Sequence, residues 1–204
     1  EAAYWSAQTA IAGADLLVDG EKAAYALSRP PGHHAFGDLA GGFCFLNNSG
    51  IAAERLRARG LRPAILDVDV HHGNGTQGIF YHRSDVLTVS IHADPERFYP
   101  FFWGQAHERG AGEGLGYTAD DAYLATLDAA LQRVTAFGAD VVVVALGLDA
   151  FIGDPFKGLA VTEVGFGRIG AAIAGAGLPC LFVQEGGYLC DELGANLTSV
   201  LKGF

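Results

Sequence analysis

Between Ala64 and Gly75 the chain reads A-I-L-D-V-D-V-H-H-G-N-G, so four polar side chains interrupt an apolar, partly β-branched run. Such a run suits an interior strand of a parallel sheet. Carboxylates on a buried strand need a cation, a strong donor or a place at the strand end. Asp69 and His71 are two residues apart, so on an extended chain they face the same side. A carboxylate oxygen beside an imidazole at the C-terminal end of a strand makes half of a metal site. The third ligand is chosen by elimination. Asp149 follows the most hydrophobic strand of the chain, whereas Asp154, the competitor, stands before Pro155 and reads equally well as a turn residue. Asp69, His71 and Asp149 form an O/N/O set that leaves a position open for water, as in catalytic sites. With no thiolate in the set, Zn²⁺ suits it best, and Fe²⁺ or Co²⁺ stay open on ligand type.

Hydrolysis by a metal-activated water needs a proton acceptor for the water and a donor for the leaving group. His33 and His34, adjacent after Pro30-Pro31-Gly32, can supply both, because imidazole titrates near neutrality. Tyr188 follows Gly186-Gly187, where its hydroxyl could donate to a developing oxyanion. All these residues fall just beyond apolar runs. In a parallel sheet the C-terminal strand ends share one edge, where distant residues converge.

The elements that must position them follow from periodicity. Helices are expected over Glu1–Val18, Ser49–Arg59, Ala119–Phe137, Thr162–Gly175 and Asp191–Leu201, with a helical turn at Gly78–Tyr81. Asn47-Asn48 serves as a helix cap. Strands are expected over Ala23–Ser28, Pro63–Val70, Asp85–His92, Asp140–Leu146 and Pro179–Gln184. Asp94–Gly116 reads as a long aromatic and Gly-rich loop. Alternating strands and helices predict an α/β fold of three layers around a mainly parallel sheet, in a single domain over 1–204.

The composition fits this picture. Half of the 204 residues are hydrophobic and 18% are charged, which excludes a disordered chain. The net charge, 13 − 23 = −10, argues against a nucleic-acid partner and suits a cationic one. Cys44, Cys180 and Cys190 form no C-x-x-C pair, and free thiols point to a reducing compartment. No signal peptide and no apolar span of about 18 residues is seen, so a cytoplasmic protein with no membrane partner is expected. A homo-oligomer is compatible with the sequence.

Five motifs, in order, carry a family resemblance: R-P-P-G-H-H (29–34), G-G-F-C-F-L-N-N (41–48), D-V-D-V-H-H-G-N-G-T-Q (67–77), G-L-D-A-F-I-G-D-P (147–155) and E-G-G-Y (185–188). Together they resemble the histone deacetylase / acetylpolyamine amidohydrolase superfamily over nearly the whole chain. The aromatic stretch after Ser90-Ile91-His92 is most similar to the bacterial deacetylase-like amidohydrolase branch. The resemblance implies an arginase/deacetylase-like fold and Zn²⁺ on Asp69, His71 and Asp149. It implies His33 and His34 as the catalytic pair, with His34 as general base and acid, and Tyr188 holding the substrate carbonyl. It further implies that Gly42, Phe43 and Tyr99 line an acyl-lysine channel, and that Asp67 and Ser90 bind a structural monovalent cation, usually potassium. Asn74 stands where some relatives have Asp, which changes the basicity of His34 and keeps its orientation.

Two other departures concern substrate choice. The family's N-terminal segment, with its first strand and rim loops, is missing before Glu1, and the connection Gly116–Asp121 is short. Arginase-like two-metal enzymes share the fold, but Gly73 and Phe151 stand where bridging carboxylates would be needed. The expected function is therefore removal of an acetyl or other acyl group from an amine: an acetylpolyamine or other small acetylated amine, or alternatively a protein acetyl-lysine. A binding module for acylated amines, without turnover, is the alternative of another class.

Overall fold

A computed structural model describes residues 1–114, 118–121 and 125–204, with side chains for 1–113 and 126–204. Six strands form one sheet: β1 (Ala23–Ala26), β2 (Pro63–Asp67), β3 (Leu87–Ile91), β4 (Thr118–Asp121), β5 (Val141–Leu146) and β6 (Cys180–Gln184). Their order is β1-β6-β5-β2-β3-β4, and every pairing is parallel. The expected α/β fold with a parallel sheet is present.

The inner strands β2, β3 and β5 are buried on both faces, and the residues sort by the two-residue period of a strand. Ile65, Val143, Leu181 and Val183 face a layer of three helices: α1 (Ala2–Val18), α2 (Asn48–Ala58) and α3 (Asn74–Phe80). Ala64, Leu66, Val142, Val144 and Phe182 face α4 (Ala125–Phe137), α5 (Glu163–Gly175) and α6 (Leu193–Gly203). Continuous apolar strands such as V-V-V-V-A-L are therefore required, since neither face meets water. Asn47 caps α2 by accepting the Gly50 amide at 2.7 Å.

Three expectations need correction. The helix expected over Ala119–Phe137 starts only at Ala125, and Thr118–Asp121 is an edge strand paired with β3. Helical periodicity continued by chance into that strand, and the remainder of Gly116–Asp121 lies outside the described residues. The strand expected over Pro63–Val70 ends at Asp67. Beyond it the chain leaves the ladder, although the Val68 amide still reaches Ala145 and the Ala93 amide reaches Val70. Finally, the turn expected at Gly78–Tyr81 is the end of α3, which begins at Asn74.

Candidate metal centre

The corrected end of β2 changes how Asp69 and His71 meet. They are not alternating strand residues; a tight turn folds them together. Asp69 Oδ1 accepts the His71 amide at 2.8 Å and lies 3.0 Å from His71 Nδ1. Asp149, from the loop after β5, brings Oδ2 to 3.2 Å from the same nitrogen. One potential ligand atom from each of the three residues lies within 4.8 Å of the others, and all three residues are buried. The outer oxygens are fixed: Asp149 Oδ1 accepts the Val70 amide at 3.0 Å, and Asp69 Oδ2 accepts the Gly186 amide at 2.8 Å.

This arrangement calls for positive charge. Burial and the neighbouring Asp69 push the Asp149 carboxyl up to about 7. Burial pulls the His71 imidazole down, but its hydrogen bonds with Asp149 and Asp69 outweigh that and raise it to about 10. Asp149 Oδ2 is buried without a hydrogen-bond partner of good geometry. A single proton on His71 shared between two carboxylates is a poor substitute for a divalent cation, so the three residues fit a metal. Gly186 makes room for it: a Cβ there would stand 2.1 Å from Asp149 Oδ2.

The histidine pair lies beside this cluster, with ring centroids 4.0 Å apart. His33 Nδ1–H donates to Asp67 Oδ2 at 2.9 Å, and its Nε2 is 3.8 Å from Asp69 Oδ1. His34 Nδ1–H donates to Asn74 Oδ1 at 2.7 Å, which leaves Nε2 with its lone pair. Their environments drive them apart. Burial opposes charge on His33, yet Asp67 and Asp69 prevail and hold it well above the ordinary imidazole value. Burial and the charge on His33 push His34 down to about 2.

Tyr188 packs edge-on against Phe156, centroids 4.4 Å apart, and Phe156 reaches the His71 ring at 6.0 Å. Burial, with the charges of Asp149 and Asp69, pushes the phenol up to about 12, so it is a proton-bearing donor. Tyr99 stands edge-on to His34 at 4.7 Å. Gly42 sits between them: its φ is +53°, and a Cβ would fall 2.2 Å from the His34 ring. Phe43 and Tyr188 share an open groove of about 780 Å³. Asp67 and Ser90 are register partners on β2 and β3 and both line a void of about 10 Å³.

The structure thus gathers His33, His34, Asp69, His71 and Asp149 into one cluster, with Gly42, Tyr99 and Tyr188 around it. Two carboxylates have supporting roles that the sequence did not assign: Glu185 was not singled out, and Asp154 was weighed only as a competing ligand or turn residue. Glu185 is buried and accepts the Gly32 and His33 amides at 2.6 and 3.1 Å and the Ser49 hydroxyl at 3.0 Å. It therefore fixes the histidine loop from the end of β6. An acid directly after a buried strand is the signal that singled out Asp149, and it could have found Glu185. Asp154 is 1% exposed; besides closing its own turn on the Phe156 amide, it accepts the Tyr188 amide at 3.3 Å.

The fold and the site define a parallel α/β protein with a buried Asp–His–Asp cluster that could hold a metal ion at the C-terminal edge of its sheet. The histone deacetylase domain model matches residues 1–204, and the chain belongs to that family. It is 53% identical to an acetylpolyamine amidohydrolase of Burkholderia pseudomallei (strain 1710b) and 48% identical to one of Mycoplana ramosa, in both cases over 100% of this chain. The crystal structure of the acetylpolyamine aminohydrolase from Burkholderia pseudomallei superposes with a TM-score of 0.96 at 52% identity, covering 99% of this chain and 62% of that one. The HDA15 HD domain gives 0.93 at 36% identity, covering 98% and 61%. The chain spans 62% of the length of the two curated relatives. Among the described residues no helix is long and apolar enough to cross a membrane.

Proposed function

We propose that residues 1–204 carry the catalytic machinery of a zinc-dependent amidohydrolase that removes an acetyl group from a small cationic amine of the acetylpolyamine class. The observation that carries this reading is the junction of the Asp69/His71/Asp149 cluster with a histidine pair whose two members face different partners, His33 a carboxylate and His34 a neutral amide. Such a split between neighbouring titratable groups assigns acid and base. Bound Zn²⁺ would polarise the amide carbonyl and acidify a water. His34 Nε2 would accept a proton from the attacking water, because Asn74 holds the opposite nitrogen as the donor. The same nitrogen then returns the proton to the departing amine. His33, charged and tied to Asp67, favours the negative charge that develops at the carbonyl oxygen, and the Tyr188 hydroxyl donates to it.

Gly42, Phe43 and Tyr99 would line the acyl channel. A structural potassium at Asp67 and Ser90 is part of the proposal, supported by the small void between them. The relatives named acetylpolyamine amidohydrolase are 45–53% identical, whereas those named histone deacetylase or histone deacetylase-like amidohydrolase are 36–39% identical. That ordering and the net charge of −10 favour a small cationic substrate over an acetylated protein, in a cytoplasmic setting without nucleic acid.

Turnover of acetylputrescine, acetylspermidine and an acetyl-lysine peptide by metal-loaded protein, side by side, tests this reading. The two polyamines should be preferred, and Asp149→Asn should lose both bound zinc and turnover while remaining folded. Preference for the peptide would make the chain a protein deacetylase. Binding without turnover would make it a recognition module.

A further inference from the structure

The aromatic loop Asp94–Gly110 carries Tyr99 to His34, yet it contains no helix or strand to hold it there. A loop of this length is fixed only where its backbone groups find partners. At Gly104 both do. The Gly104 amide donates to Glu108 Oε2 at 3.1 Å, and the Gly104 carbonyl accepts from His92 Nε2–H at 3.0 Å. Neither partner stands alone. The Ser90 hydroxyl donates to His92 Nδ1 at 3.0 Å, which ties His92 to β3. Glu108 Oε2 also accepts from Gln77 Nε2 in α3, and Gln77 Oε1 accepts from His72 Nε2–H at 2.9 Å. His72 is covalently next to His71. Gln77, His72 and His92 are all at least nine-tenths buried, so the His72–Gln77 and His92–Gly104 bonds lie out of competition with water, and the half-buried Glu108 closes the network at its rim.

We infer that Glu108 is a positioning residue for the substrate channel: through Gln77 and the Gly104 amide it clamps the Tyr99 loop to the same turn that carries His71. Glu108 touches no reacting group in this arrangement. It acts through the loop, setting where the channel wall stands relative to the cluster. The inference rests on the amidohydrolase reading only for what passes through that channel; the clamp itself is a property of the fold.

The chain has two tryptophans, and Trp103 is the neighbour of Gly104, packed edge-on against Phe36 at 5.3 Å. Trp5 is exposed on α1 and can be replaced by Phe, making Trp103 the sole indole reporter of the loop. In that background Glu108→Ala should red-shift Trp103 emission and increase its quenching by acrylamide. It should also raise KM for the acetylated amine about tenfold, the scale of a lost charge-assisted hydrogen bond, with kcat and zinc content near the parent. Glu108→Gln, which keeps an acceptor oxygen at the same reach, should restore both readouts. Should Glu108→Ala be insoluble, Glu108→Asp, one methylene shorter, is read in the same way. Unchanged Trp103 emission and quenching would overturn the clamp whatever the activity does. A spectral change with unaltered KM would overturn its role in the channel. If the parent turns over none of the amides, the amidohydrolase reading fails, and the fluorescence arm still decides the clamp.

Discussion

Tyr188 offers the cleanest separation of chemistry from binding. Phe keeps the ring and its contact with Phe156, and loses one hydroxyl. Removing such a donor typically lowers kcat by about 10²–10³. Tyr188→Phe should therefore show a large fall in kcat, a small change in KM and full zinc content; turnover within about threefold of the parent would return Tyr188 to a packing role. Asn74 tests the base. Replacing it by Asp sets a negative charge at His34 Nδ1–H, which favours imidazolium and raises the His34 pKa. A base works only when neutral, so the acidic limb of the kcat/KM profile should move to higher pH in Asn74→Asp, and an unmoved limb would take His34 out of that role. That Asp69, His71 and Asp149 lie together was legible in sequence, because polar groups just beyond apolar strands demand explanation, and His33 and His34 stood out as an adjacent pair after Pro-Pro-Gly. Glu108 was not, because an acid in a long loop is ordinarily solvated and nothing local signals the distant Gln77.

At the scale of elements, the end of β6 does most to hold the site, through Glu185. Burial, with a contribution from Asp67, pushes this carboxyl from 4.5 up to about 7, against the pull of His33. The folded chain thus binds this proton more tightly than the unfolded chain. Its stabilising effect is complete below about 4.5 and is lost as pH rises through about 7. The interval corresponds to on the order of 3 kcal/mol. Glu185→Gln cannot ionise, so between pH 5 and 8 it should lose less stability in denaturant titrations than the parent does. Equal losses would mean that Glu185 does not titrate there. The strands were read well where both faces are apolar, as in β5. The failure at Thr118–Asp121 has a physical cause: an edge strand of four residues is too short to set a period of two against a neighbouring helix.

These 204 residues carry a net charge of −10, and a polycationic substrate of the proposed class would meet that field before it met any residue. Association with such a substrate should weaken as salt screens the field over about 8–10 Å. KM for acetylspermidine should rise between low and physiological ionic strength, more than for a neutral acetylated amine, with kcat unchanged. Equal salt dependence for the two would locate recognition in short-range contacts alone. The parallel topology itself was legible, because alternating strands and helices leave few other solutions. The strand order was not, since nothing in the local sequence states that β6 lies between β1 and β5.

That order bears on biosynthesis. Among the described residues β1 pairs in the sheet only with β6, which is synthesised long after it. Until Cys180–Gln184 has emerged, β1 lacks its neighbour, and β5 keeps one side of its hydrogen-bonding groups unsatisfied. The same late segment delivers the Gly186 amide to Asp69 and the Glu185 carboxylate to the histidine loop. A nascent chain stalled between Asp149 and Cys180 would hold Asp69, His71 and Asp149 and still lack the frame that aims them. Any metal capture by these three residues would therefore follow the emergence of β6, and until then the exposed β5 edge is the hazard that a chaperone would have to cover.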